Sequence, residues 1–164
     1  MPQPVPKNKK NLSKEEKKKP VRINKYVRNH PQYGTSKLEE KFAKEFLDVL
    51  GVSYQYQFEA KDIKRFFDFL VEGIVLIEID GDYYHSYGKL YEDMNPMQKR
   101  NFRVDMIKDS WAAENGYILC RIWEHDIRNN PDIVMKKIKD VLDIKDKKKK
   151  RDEKNEAVFQ GDNA

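Results

Sequence analysis

Several things are scarce in this chain. It has one cysteine, Cys120, in 164 residues, so no internal disulfide can form, and no Cys/His cluster stands at zinc-finger spacing. A reducing, cytosolic setting is expected. No apolar run approaches the ~20 residues that cross a bilayer, and no apolar segment follows the N-terminal lysines as a signal peptide would require. The expectation is a soluble, unexported, cytoplasmic chain without a membrane span. Hydrophobic residues, at 38% against 37% charged, suffice for a core only in the middle of the chain, so one domain is expected.

Basic charge is what the chain has in surplus. A net charge of +5 and a pI near 9.1 call for an anionic partner, and on charge alone nucleic acid and an anionic membrane surface both qualify. Residues 1–31 combine many lysines with prolines and almost no periodic apolar positions, the composition of an arm outside the fold. Such an arm is either a solvated leader or a phosphate-neutralising strap, and in the second case Lys9, Lys10, Lys17, Lys18, Lys19 and Arg22 are its contacts to a duplex. Lys147 to Arg151 form a second unbroken basic run, so residues 145–164 are expected to extend beyond the fold as a tail. The domain is then 32–144.

Inside it, Ser36 caps a helix with Leu38, Phe42, Phe46 and Leu50 on one face, and Gly51 ends it. Val52 to Phe58 alternates as a first strand, Lys61 to Lys64 turns, Arg65 to Leu70 is a second strand, and Val71-Glu72-Gly73 leads into a third. A second long helix runs from Asn95-Pro96 to Asn115. Tyr117 to Trp123 has the composition of a buried strand, and Asn130-Pro131 opens a last helix. The order α-β-β-β-α-β-α predicts an α/β (α+β) domain, a mixed four-stranded sheet flanked by helices.

The second and third strands carry acids where a packed sheet wants Val, Ile or Leu. The strand period of two puts Glu78 and Asp80 on one face and Ile77 and Ile79 on the other. If strands two and three pair, Asp68 lies beside them, and three carboxylates converge. Carboxylates withdrawn from water need a counter-charge, and hard oxygen donors select Mg²⁺ or Mn²⁺. The metal set is therefore Asp68, Glu78 and Asp80, and the chemistry open to it is metal-assisted displacement at phosphorus, with a phosphodiester as substrate.

These residues resemble the restriction-endonuclease-like PD-(D/E)XK nucleases, and more closely the branch of the very-short-patch-repair (Vsr-like) and EDxHD homing endonucleases. The blocks that carry the resemblance are Ser36-Lys37-Leu38-Glu39, Arg65-Phe66-Phe67-Asp68-Phe69, Ile77 to His85, Asp105-Met106-Ile107-Lys108, and Gly116 to Glu124, spanning about residues 35 to 142. The resemblance implies a Mg²⁺-dependent DNA endonuclease that leaves a 5′-phosphate and a 3′-hydroxyl on double-stranded DNA. It implies that Asp68 binds metal at the end of the second strand and that the third-strand carboxylates complete the site. Asp80 departs from the pattern, because many relatives place the E-x-K lysine there. Either Lys108, one turn after Asp105 on the second helix, reaches back to supply that cation, or His85 acts as acid or base, and His85 is the preferred group for proton transfer. Glu39 fits two roles: a capping-box residue three after Ser36, or the acid that relatives carry on this helix facing the metal, a role open to Glu40 as well. A catalytically impaired nucleic-acid-binding protein on the same fold is the alternative.

Other groups have plainer readings. Trp123-Glu124-His125-Asp126 serves packing and loop closure, His30 has no partner for a ligand role, and Trp111 is core. Tyr83, Tyr84, Tyr87 and Tyr91 surround an ionisable loop, where Tyr84 is positioned to meet DNA or to form a packed rim. Target type, nick or double-strand cut, and monomer or homodimer stay open.

Overall fold

A computed structural model describes residue 31 and residues 34–161. The proposed phosphate contacts Lys9, Lys10, Lys17, Lys18, Lys19 and Arg22, and His30, lie outside the described residues.

The first helix begins where its cap predicts. Ser36 Oγ accepts from Glu39 N–H and Glu39 Oε1 accepts from Ser36 N–H, both at 3.2 Å, which satisfies two of the amide donors exposed at a helix start. The helix is α over Lys37–Phe42 (α1), widens to a π segment at Ala43–Leu47 and returns to α at Asp48–Leu50 (α2). The wider turn brings Ala43 and Leu47 into the buried face beside Phe42 and Phe46. Gly51 closes it with φ +64°.

Four strands follow: β1 (Tyr54–Ala60), β2 (Arg65–Val71), β3 (Val75–Asp80) and β4 (Ile118–Trp123). β1 starts two residues later than expected, because Val52 N–H bonds Leu47 O to finish the helix and Ser53 N–H is taken by Glu72 Oε1. Sheet order is β1-β2-β3-β4, antiparallel across the first two pairings and parallel between β3 and β4. This is the mixed four-stranded sheet the element order predicts. Between β3 and β4 come a 3-10 turn (Tyr91–Asp93) and the long helix α3 (Pro96–Glu114), opened by an Asn95–Gln98 capping box with Pro96 in its first turn.

Two apolar clusters sandwich the sheet. On one face Phe42, Phe46 and Leu47 pack with Tyr54, Tyr56, Phe69, Val71, Val75, Ile77, Cys120 and Ile122, closed over by Val134 and Ile138. On the other, Trp111 and Ala112 of α3 meet Ala60, Phe67 and Leu76, flanked by Phe58, Leu70 and Leu119. In β3 and β4 alternate residues keep to alternate faces, as the pleat requires. In β1 and β2 they do not. Tyr54 and Tyr56 face one cluster while Phe58 and Ala60, of the same parity, face the other, and Phe67 and Phe69 divide likewise. The crossover falls at Gln57 and Asp68.

After β4 a short helix absent from the sequence reading, α4 (Glu124–Asn129), precedes α5 (Pro131–Gly161). α5 passes straight through the boundary expected at 144. Residues 145 onward do not leave the fold there as a tail, because Lys145 Nζ pairs with Glu72 Oε2 at 3.5 Å and Lys148 Nζ donates to Gly116 O at 2.8 Å. Among the described residues no helix is long and apolar enough to cross a membrane.

Candidate active site

The site forms where two strands part. The β2–β3 ladder pairs Val71 with Val75, Leu70 with Leu76 and Phe69 with Ile77, and ends there. At the next step Asp68 Oδ2 accepts from Ile79 N–H at 2.7 Å, so a carboxylate takes the position of a main-chain carbonyl. The β1–β2 ladder is interrupted at the same level, between Tyr56↔Phe69 and Phe58↔Phe67. Gln57, the residue skipped, has φ +51°, a left-handed conformation uncommon for a residue with a Cβ. Its side chain turns to α1, where Nε2 donates to Glu39 Oε2 at 3.0 Å. Glu39 thus completes the cap through Oε1, as its spacing from Ser36 predicts, and meets Gln57 of the sheet through Oε2.

Glu78 and Asp80 share the β3 face turned to α3, as the strand period predicts, and both are buried. Above them one stripe of α3, with residues three or four apart, presents Gln98, Asn101, Asp105, Lys108 and Asp109. Lys108 Nζ forms an ion pair with Glu78 Oε1, which has no regular hydrogen bond besides, and the ammonium lies 4.8 Å from the centre of the Phe67 ring. His85 Nδ1 stands 2.7 Å from Asp105 Oδ2 and 3.8 Å from Asp80 Oδ1. From β4, Arg121 Nη1 donates to Asp80 Oδ1 at 2.7 Å, and Nη2 and Nε donate to Asp109 Oδ1 at 2.9 and 3.1 Å. Nη2 also pairs with Asp105 Oδ1 at 3.2 Å.

The electrostatics follow from burial. Burial raises the Asp68 carboxyl above its ordinary pKa, against the opposing pull of the Ile79 amide, Lys108, His85 and Arg121. Glu39 is raised by burial and then by the Asp68 charge. Burial also raises Asp80, although Arg121 and His85 work the other way. Burial lowers Lys108 to about 8, with Asp68 opposing. Burial would lower His85, but the hydrogen bond to Asp105 and the Asp80 and Asp105 charges outweigh it and leave it raised. Arg121 is also raised, its acidic neighbours outweighing its burial.

The structure therefore gathers Glu39, Asp68, Glu78, Asp80, His85, Asp105 and Lys108 around one end of the sheet. Glu78 is engaged by Lys108 and Asp80 by Arg121, and among the described residues no three or more His, Cys, Asp or Glu side chains form a metal-holding group. Glu39 and Asp68 are both raised by burial, and the Asp68 charge raises Glu39 further. That donor chemistry fits a divalent cation.

Arg121 and Gln98 were missed by the sequence reading. Arg121 was detectable, since a cation within Ile118-Leu119-Cys120-Arg121-Ile122-Trp123 is the same anomaly as an acid in β3, and parallel pairing sets it opposite Glu78. Gln98 reads from sequence only as a cap.

Tyr83 and Tyr84 are exposed at the rim, 62% and 59%, and meet edge to face. Tyr87 stacks on the His125 ring and meets Trp123 edge-on, while His125 N–H donates to Asp82 Oδ1 at 3.0 Å. That segment closes the loop, as its sequence suggests. Trp111 is core, its Nε1 donating to Asp62 Oδ2 at 2.7 Å. No family model, curated protein or solved structure matches this chain.

Proposed function

We propose that the chain is a metal-dependent endonuclease of the PD-(D/E)XK type, in its Vsr-like and EDxHD homing branch, hydrolysing phosphodiester bonds of double-stranded DNA. The observation that carries this reading is the Asp68 carboxylate at the fork of β2 and β3, held by Ile79 N–H, with Glu39 within reach of its charge and the His85–Asp105 pair in the same site. Glu39 and Asp68 would hold Mg²⁺ or Mn²⁺. Glu78, now paired with Lys108, would be the third oxygen donor. The chemistry the bound ion supplies is polarisation of the scissile phosphate and a lowered pKa for water.

The remaining roles belong to the protein's own groups. The Asp105 carboxylate can only accept, so His85 Nδ1 carries the proton between them and Nε2 of the neutral ring is the acceptor for a proton from the attacking water. Lys108, at about 8, is mostly charged at neutral pH and offsets the charge of the phosphate, the part that position 80 has given up. Basic residues give affinity through phosphates, and the acidic fork gives chemistry.

The competing reading is a nucleic-acid-binding protein on this scaffold that no longer cleaves, favoured by the Asp80–Arg121 pair where a lysine is usual. Supercoiled plasmid decides between them, incubated without metal, with Mg²⁺ and with Mn²⁺, beside Asp68→Ala. Metal-dependent nicking or linearisation that Asp68→Ala abolishes supports the endonuclease. Salt-sensitive binding in EDTA with no cleavage under either metal sinks it.

A further inference from the structure

The loop that brings His85 into the site, residues 81–94 between β3 and α3, is held by more than its own turns. Gln98 Nε2 donates to Tyr83 O at 2.7 Å, and Asn101 Nδ2 donates to Tyr84 O at 3.1 Å. Two consecutive carbonyls just before His85 are thus bound by two amide side chains one helical turn apart. On that same stripe of α3, the next turn carries Asp105, the partner of His85. Gln98 is only 1% exposed, so each of its polar atoms needs a partner. Its amide orientation is forced: Oε1 accepts from Asn95 N–H at 3.1 Å and faces Lys89 Nζ at 3.5 Å, which leaves Nε2 for the loop.

The loop needs such restraint. Ser86, next to His85, has φ +63° and a buried hydroxyl with no hydrogen-bond partner among the described residues. A non-glycine residue in that conformation persists only where its surroundings hold it. The capping box at Asn95 uses Gln98 Oε1, Asn95 Oδ1 and two main-chain amides, so the Nε2 bond to Tyr83 is surplus to opening the helix.

We infer that Gln98, seconded by Asn101, is the positioning residue that sets His85 against Asp105. The catalytic consequence rests on His85 as the proton-transfer group, whereas the anchoring can be read without any cleavage.

Gln98→Glu separates the two duties of this side chain. A carboxylate serves the capping box as well as an amide does and keeps its bond to Asn95 N–H, but it cannot donate to Tyr83 O. The full chain, Gln98→Glu, Gln98→Met and Asn101→Ala are compared at pH 8, where the introduced carboxyl is ionised. The first readout is the downfield proton resonance of His85 Nδ1–H, assigned by its disappearance in His85→Gln. The second is plasmid nicking, with duplex affinity measured in EDTA.

The expected result for Gln98→Glu is a cooperative melt at a lowered temperature, since one carboxylate oxygen is left facing Tyr83 O, together with a lost or broadened His85 resonance and a kcat reduced by about 10- to 100-fold at unchanged duplex affinity. Asn101→Ala shows the same changes in smaller degree. Should Gln98→Met fail to fold, Gln98→Glu still decides. A Gln98→Glu protein that keeps both the resonance and the wild-type rate overturns the inference, as does a wild-type chain with no such resonance. If wild type shows the resonance but cuts no DNA, the endonuclease reading fails while the anchor is still judged by the resonance in Gln98→Glu.

Discussion

Arg121 Nη1 donates to Asp80 Oδ1 at 2.7 Å, so the acid at the end of β3 takes its counter-charge from the neighbouring strand β4. A buried pair of this kind is costly to break by removing one side, because the other charge is left in a poor solvent. Arg121→Ala is therefore expected to cost about 3 kcal/mol at pH 8. It should cost less at pH 5, because Asp80, already raised by burial against the pull of Arg121, is protonated more readily once that charge is removed. Urea denaturation at the two pH values measures both.

Asp68→Asn removes a carboxylate that burial disfavours, so in EDTA the variant should melt no lower than wild type. It should also lose the stabilisation that Mg²⁺ gives wild type, which by mass action is about 2.7 kcal/mol at one hundred times the Kd. Thermal melts with and without Mg²⁺ test this apart from any cleavage assay. An equal Mg²⁺ shift in both proteins would remove Asp68 from the metal site.

His85→Gln is expected to lower kcat by about 10²- to 10⁴-fold while leaving DNA affinity in EDTA intact. Asp105→Asn should fall by less, roughly 10- to 100-fold, since it disturbs the orientation of the ring and spares the proton acceptor. Single-turnover nicking of a labelled duplex distinguishes the two.

Stability against pH has a sign fixed by these groups. Asp68, Asp80, Glu39 and His85 all have raised pKa values in the folded protein. The folded state then binds more protons than the unfolded chain, and their contribution, complete below the unfolded values, is lost as pH rises through the folded ones. For the acids that loss begins above their ordinary values of 3.8 to 4.5, and for His85 above 6.5. Lys108 is lowered from 10.5 to about 8, so its contribution runs the other way and recovers across that interval. Apo-protein stability should decline from about pH 4 through neutrality and rise again from 8 to 9, above which Cys120, raised by burial from 9.0 to about 11, opposes the Lys108 gain, with Lys108→Met removing the rise. Chemical denaturation across the range checks each limb.

Much of this was legible in the residues themselves. Ser36 and Asn95-Pro96 announce their helices through local hydrogen bonding, and the period of two in β3 places Glu78 and Asp80 together without knowledge of any neighbour. What could not be read depends on neighbours. The face change at Gln57 and Asp68 puts a left-handed residue into a strand without a glycine to signal it. The partners of Glu78 and Asp80 come from α3 and β4, many residues downstream, so the carboxylates looked free to converge on a metal when two of them are engaged by cations. The lysines after 144 read as a tail by composition, because the carbonyl and carboxylate that receive Lys148 and Lys145 belong to distant turns.

The exchange of faces at Gln57 and Asp68 also bears on how the molecule comes apart. β1 and β2 begin in one apolar cluster and end in the other, so neither cluster can melt without pulling on the strands shared with its counterpart. The fork holding Asp68 is the stitch between the two halves of the interior, and its amides belong among the slowest in the protein to exchange with solvent. Asp68, placed at that stitch, takes its rigidity from global cooperativity.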